Sequence, residues 1–275
     1  MLEQLKYQNH LNEVYEFGKD GIFVDANTLH DYQWAVTTKG NKISALTPTI
    51  TSRALPVVIL CKTEKDGIAA RNKLLEVVEK DVLAMKYGKI IIGDYYFRCY
   101  VTKSQKRDYL TSKCQMLITL TLTTDHPRWI KESKFSFRSG TGEHTKGQDL
   151  DFSFDFPFEY AFGADANELI NTAFVGSDFK MVVYGACVNP TVTVSGHDYT
   201  VNCSVNVGEY LTIDSLSKKI FVTHNNGATT NVFCYRDRES YIFEKIPAGH
   251  NTISWVGEFS VDLTLYEERS EPKWI

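Results

Sequence analysis

The sequence predicts a mainly β protein that carries a single α-helix and divides into two segments. Three observations predict it. Phe and Tyr occur 16 and 15 times in 275 residues, while Pro occurs 7 times. Flat rings pack well on a pleated surface, and Pro interrupts a hydrogen-bonded ladder. Apolar and polar residues alternate in several runs, which is the period of a half-buried strand. Only one stretch, residues 66–87, repeats its apolar positions near the helical period. At this length two domains are the better expectation, because a single core stops growing at about 250–300 residues.

The elements follow in order. Gly18-Lys19-Asp20-Gly21 reads as a turn into Ile22-Phe23-Val24. Residues 34–56 are rich in Thr and Ser and lack a clear period, so they read as a strand, a protruding arm and a return. Pro56 to Cys61 is a short apolar strand. Asp66-Gly67 opens the helix, with Ile68, Leu75, Val78, Val82 and Met85 on one face. Arg71, Lys73, Glu76, Glu79 and Lys80 lie on the solvated face. Asp66 is placed to accept from the free amides of the first turn, and Gly88 to close the far end in a left-handed conformation. A hairpin follows: Lys89 to Ile92 and Tyr95 to Val101 flank Gly93-Asp94, a two-residue connection of the kind that suits paired twisted strands. From Cys114 to Thr124, Cys114, Met116, Ile118, Leu120 and Leu122 alternate with polar residues, and Asp125-His126-Pro127 ends that strand.

The three glycines between Ser139 and Gly147, with almost no apolar side chain around them, mark a linker. The predicted division is 1–138, a linker at 139–149, and 150–275. Charge changes sign at about the same place. Residues 1–150 hold 22 Lys and Arg against 17 Asp and Glu, and residues 151–275 hold 8 against 17. In the second segment Phe152, Phe154, Phe156 and Phe158 share one face. Strands are expected at Thr191–Ser195, Tyr199–Ser204, Lys219–Thr223, Val232–Arg236, His250–Trp255 and Phe259–Tyr266, spaced as in a sandwich. Asn225-Asn226-Gly227 is a turn between two of them.

No chemistry stands out. The net charge of −4 does not point to a nucleic-acid partner. No apolar run approaches the ~20 residues of a membrane span. The N-terminus lacks the apolar region of a signal peptide, so the expectation is a protein made in the cytosol. The six cysteines include no C-x-x-C pair, and they read as small buried hydrophobes in a reducing compartment. The seven histidines are scattered, with His197 and His224 in turns. No nucleophile elbow, phosphate loop, dinucleotide fingerprint or zinc-protease motif is present. The reading is therefore scaffolding or binding rather than an enzyme, with no cofactor and no metal. Tyr210, Tyr235, Tyr241 and Trp255 are available to stack on sugar rings or to pack in a core or at an edge. A carbohydrate- or cell-wall-binding protein is accordingly the alternative reading.

The order of these segments resembles the distal tail proteins of long-tailed phages and prophages of Gram-positive bacteria. Three stretches carry the resemblance across nearly the whole chain. One is the Pro56–Cys61 strand, the helix and the Ile90–Val101 hairpin. Another is Met116 to Thr124 running into Asp125-His126-Pro127-Arg128-Trp129. The last is Gly249 to Trp255, Phe259 to Glu267 and Glu271-Pro272-Lys273-Trp274. The resemblance implies an N-terminal β-sandwich with one helix that assembles into a hexameric ring. It also implies a C-terminal sandwich like a galectin or a carbohydrate-binding module. Such a ring joins the tail tube to a hub or tip protein in the virion baseplate, and its outer domain often docks receptor-binding proteins. On that reading the arm at 37–55 takes part in the ring contact, with Lys39, Lys42, Thr47, Thr49 and Arg53 as interface candidates. Neither sequence-specific nucleic-acid binding nor membrane insertion is implied.

Overall fold

The computed structural model describes residues 4–107, 114–138 and 168–273. The linker expected at 139–149 and the aromatic run from Phe152 to Phe158 lie outside the described residues. Two compact units are present: Met1–Lys131 with Glu268–Ile275, and Glu132–Glu267. The C-terminal residues from Glu268 therefore group with the first unit, whereas the sequence division placed them with the second.

The first unit contains β1 (Leu5–Gln8), β2 (Val14–Glu16), β3 (Ile22–Val24), β4 (Trp34–Lys39), β5 (Lys42–Pro48), β6 (Thr51–Leu60), α1 (Glu64–Ala84), β7 (Gly88–Ile92), β8 (Tyr95–Arg107), β9 (Gln115–Thr124) and the start of β10 (Trp129–Phe137). All the pairings are antiparallel. β8 is long enough to serve three partners: its first half lies between β7 and β10 and its second half pairs with β9, with an irregularity at Val101/Lys103. β7 continues to β1 and β2, while β9 continues to β6 and β3. The expected alternation on β9 holds: Met116, Ile118, Leu120, Leu122 and Thr124 are buried. The Gly93-Asp94 hairpin holds too, with Ile92 opposite Tyr95 and Gly93 at φ 55°. The short apolar strand expected at Pro56 is the second half of β6, which begins at Thr51.

The helix differs from its sequence outline in its bounds, both of its caps and part of its buried face. It spans Glu64–Ala84 rather than 66–87. Its cap is Thr63, whose Oγ1 accepts from the Asp66 amide at 3.2 Å and donates to the Asp66 carboxylate at 2.7 Å. It ends where Met85 takes a left-handed φ of 51°, three residues before Gly88. The buried stripe is Gly67, Ala70, Leu74, Val77, Val78 and Asp81; of the expected row Val78 lies in it, Ile68, Leu75 and Val82 are half-buried, and Met85 is exposed. Gly88 lies on β7, where a side chain would collide with Asp81 and the Tyr7 hydroxyl. Gly21, at φ 75°, is similarly obligatory: a Cβ there would sit 2.5 Å from the Leu60 carbonyl oxygen.

The second unit contains the end of β10, β11 (Glu168–Asn171), β12 (Asp178–Tyr184), β13 (Cys187–Val188), β14 (Thr191–Val194), β15 (His197–Thr200), β16 (Ser204–Val205), β17 (Tyr210–Asp214), β18 (Lys219–Thr223), β19 (Thr229–Asn231), β20 (Gly249–Trp255) and most of β21 (Val261–Arg269). β19, β18, β17, β12 and β21 form one antiparallel set, and β11, β20, β14 and β15 form another. One core draws on both: Phe179, Met181, Leu211, Ile213 and Leu263 from the first, and Leu169, Val192, Val194, Tyr199 and Ile253 from the second. Residues 233–235 form a single 3-10 turn instead of the expected Val232–Arg236 strand. The Asn231 side-chain oxygen accepts from the Phe233 amide at 2.9 Å, and the Tyr235 amide closes on the Val232 carbonyl at 2.9 Å.

The cysteines are not all buried. Cys99 is enclosed and Cys234 is exposed, while Cys61, Cys114, Cys187 and Cys203 are partly covered at strand ends.

Candidate functional site

β4 and β5 form a two-stranded hairpin that, among the described residues, pairs with no other strand. Every residue of β5 is exposed, and so are Val36 to Lys39 of β4. The exposed residues include Val36, Ile43 and Leu46, and Ile50 follows at 74% exposure. An isolated two-stranded ribbon is marginal in water, and both of its edges offer free backbone groups. The tip is basic. Lys39 and Lys42 stand opposite each other across Gly40-Asn41, and no Asp or Glu occurs from Tyr32 to Thr63. Thr47 lies in the exposed strand opposite Ala35, and Thr49 lies in the exposed link to β6.

Arg53 is different. It is 5% exposed, its guanidinium lies 4.5 Å from the Phe97 ring centroid, and it donates to the Leu29 carbonyl. The Trp129 indole donates to the same carbonyl at 3.3 Å. Burial lowers the Arg53 guanidinium from its ordinary value, and the charge of Asp31 opposes that shift. Arg53 therefore braces the interior beneath the hairpin rather than its surface. At the hairpin's root, Arg128 lies 5.2 Å from the Trp34 ring and bonds Glu268 at 2.9 Å, and His126 meets the same carboxylate at 2.8 Å.

The four aromatic candidates of the second unit do not converge. Tyr210 lies beside Tyr184, with centroids 6.1 Å apart. The Tyr184 hydroxyl is pushed up to about 12 by its 2.6 Å bond to Asp262. Tyr241 packs edge-on to Phe243 beneath Lys218. Trp255 packs against Phe137 and Phe259 and donates to the Phe259 carbonyl at 2.9 Å. Tyr235 is 56% exposed in the 3-10 turn. No ring contact links any two of the four among the described residues.

A buried polar cluster went unnoticed in the sequence. Asp81 is fully buried and accepts from the Tyr7 hydroxyl at 2.5 Å and the His10 amide at 2.8 Å, with His10 Nδ1 at 2.6 Å. Burial raises the Tyr7 hydroxyl far above its ordinary value, and Cys99 and the Asp81 bond add to this, so Tyr7 stays a donor. Burial also pushes the Cys99 thiol up to about 12. The signal was present: Asp81 sits seven residues after Leu74, on the same face. Beside the cluster lies an open cleft of about 410 Å³, lined by Asn9, His10, Asn12, Lys86 and Tyr87 among others, with no Ser, Cys or carboxylate in its lining. Among the described residues no group of three or more His, Cys, Asp or Glu gathers to hold a metal. No helix there is long and apolar enough to cross a membrane.

No protein-family model and no curated protein matches this sequence. Solved structures do match along the full length. One is Dit of phage SPP1, described as a paradigm of the hub adsorption apparatus in phages infecting Gram-positive hosts, at 9% identity and TM-score 0.58, over 98% of this chain and 100% of that one. The chain has a Dit-like fold. Chains of the phage p2 baseplate in its activated conformation agree, with TM-scores of 0.66 with Ca and 0.65 with Sr. Their identities are 12% and 11%, over 99% of this chain and 100% of each of theirs. The Dit-like fold thus extends over both units.

Proposed function

We propose that this chain is a structural ring subunit at the distal end of a phage tail. Six copies close a ring that joins the tail tube to the hub or tip protein. The first unit (1–138 in the sequence division) makes the ring, and the second (150–275), with a galectin-like sandwich, serves as a docking site for host-recognition components. No catalysis is involved. The exposed β4–β5 hairpin carries the proposal. It presents apolar side chains, a basic tip and two unpaired edges, which a monomer leaves in water. A ring supplies what the hairpin lacks, because a heterologous contact sets one patch of each copy against a different patch of the next. Strand addition to a neighbour's sheet satisfies the edges. Within that contact Lys39, Lys42, Thr47 and Thr49 face the neighbour, and Arg53 holds the ground beneath. The full-length Dit-like fold, shared with a phage hub protein and baseplate chains, supports the same reading.

The test is the native mass of the full-length protein together with negative-stain images of the same sample. A six-fold ring with an open bore is expected. A strict monomer at every concentration, both alone and mixed with tail-tube protein, overturns the ring.

A further inference from the structure

Leu60 at the end of β6 is the register partner of Gln115 at the start of β9. One step further the same register sets Cys61 opposite Cys114, and the Cys61 amide donates to the Cys114 carbonyl at 2.9 Å. Opposed residues of an antiparallel pair share a face. In a hydrogen-bonded pair their Cα atoms lie about 5.5 Å apart, and disulfides span Cα separations of about 4.4–6.8 Å. The pair continues the core-facing row of Ile59 and Met116, and Cys61 packs against the first core. Both are partly covered thiols at a strand end, neither sealed like Cys99 nor solitary like Cys234.

We propose that Cys61 and Cys114 form a cross-strand disulfide once the protein leaves a reducing compartment, with a small-molecule disulfide such as oxidised glutathione as oxidant. The Cys61 thiolate attacks one sulfur of the oxidant, forms a mixed disulfide and expels one glutathione thiolate. The Cys114 thiolate then attacks the Cys61 sulfur and expels the second glutathione. The pair loses two protons and two electrons, and the oxidant gains them as two thiols. On the Cys61 side, closure gives up the weak bond from its Sγ to the Asp20 carbonyl at 3.6 Å. The closed loop contains α1 and the β7–β8 hairpin, and cross-links that close long loops constrain the unfolded chain most. Burial, reinforced by Asp66, Cys114 and Asp20, pushes the Cys61 thiol up. Its thiolate fraction, and the closure rate with it, therefore rises with pH. A control is built into the second unit. There the register pairs Cys187 with Val205, so Cys203 is its diagonal neighbour, with Cα atoms about 7–8 Å apart and beyond the usual span.

The experiment uses full-length protein purified under reductant and then transferred to oxidised glutathione. Acid quenching, alkylation in denaturant and non-reducing peptide mass spectrometry follow. The expected result is a fall from six alkylatable thiols to four. It comes with a Cys61–Cys114 linked peptide pair that reductant dissolves, and with faster closure at about pH 9 than at about pH 7. Cys114→Ser should stop the reaction at a glutathione adduct on Cys61. The proposal is overturned if both thiols stay alkylatable, if the wild-type adduct persists unresolved, or if Cys61 links to another cysteine or another copy. The wild-type peptide map decides this even if a variant fails to fold, and its readout does not depend on ring formation.

Discussion

Asp81 concentrates the polar bonding of the first unit. A carboxylate with no exposed surface is stable there only because Tyr7 and the backbone and ring of His10 surround it. Removing it leaves a buried hydroxyl and a part-buried amide without an acceptor. Asp81→Ala should therefore cost about 3–5 kcal/mol, read as a lower urea midpoint with unchanged slope. A loss under about 1 kcal/mol would show that the cluster contributes nothing net. Glu209 gives a pH-dependent counterpart in the second unit. Its 2.7 Å bond to His224, with further bonds from Asn206, holds the carboxyl below the ordinary glutamate range. A carboxyl depressed on folding stabilises above its unfolded pKa of about 4.3, and that contribution disappears as pH falls through the folded value. Glu209→Gln should lower the thermal midpoint at neutral pH, and its gap to wild type should close in acid below about pH 4. A gap of constant size across that range would sink the assignment. Neither site was legible from residue types. His224 reads as a turn residue. Asp81 shares its helix with enough solvated charges that only its spacing from Leu74 betrays it.

Among the elements, those with strict alternation were legible and those shaped by side-chain capping were not. β9 and the β7–β8 hairpin follow from period and turn chemistry alone. The helix was legible in existence and only partly in its face: Val78 belongs to both the expected row and the buried stripe, whereas Gly67, Ala70 and Asp81 carry almost no hydrophobic signal. The strand expected at Val232–Arg236 fails because Asn231 offers the chain a local acceptor. The β4–β5 arm was legible only as an absence of pattern, and that absence is physical: an element with no buried face has no reason to alternate. The same fact makes it separable. Replacing residues 36–46 with Asn-Gly keeps Ala35 opposite Thr47 and removes no core side chain. Folding stability should stay within about 1 kcal/mol of wild type, while the proposed ring should fail to form. Rings of normal mass from that variant would move the contact elsewhere.

At the scale of the whole molecule, two cores were legible from length, strand spacing and the change of charge sign. The path of the chain between them was not. Which unit receives residues 268–275 depends on contacts between positions far apart in sequence, such as Arg128 with Glu268, and no local pattern encodes those. Shape comparison reached the Dit-like fold at 9–12% identity.

The return of the C-terminus to the first unit makes the second unit a parenthesis within the chain rather than a tail. Stopping translation after Lys131 is therefore not the same operation as excising 132–267. The first deletes Glu268 and strips Arg128 and His126 of their carboxylate, whereas the second leaves that clasp intact. Any exchange of the inner span, by recombination or by design, therefore keeps both ends of the first unit, so the second unit can be replaced as a cassette without rebuilding the unit that carries it.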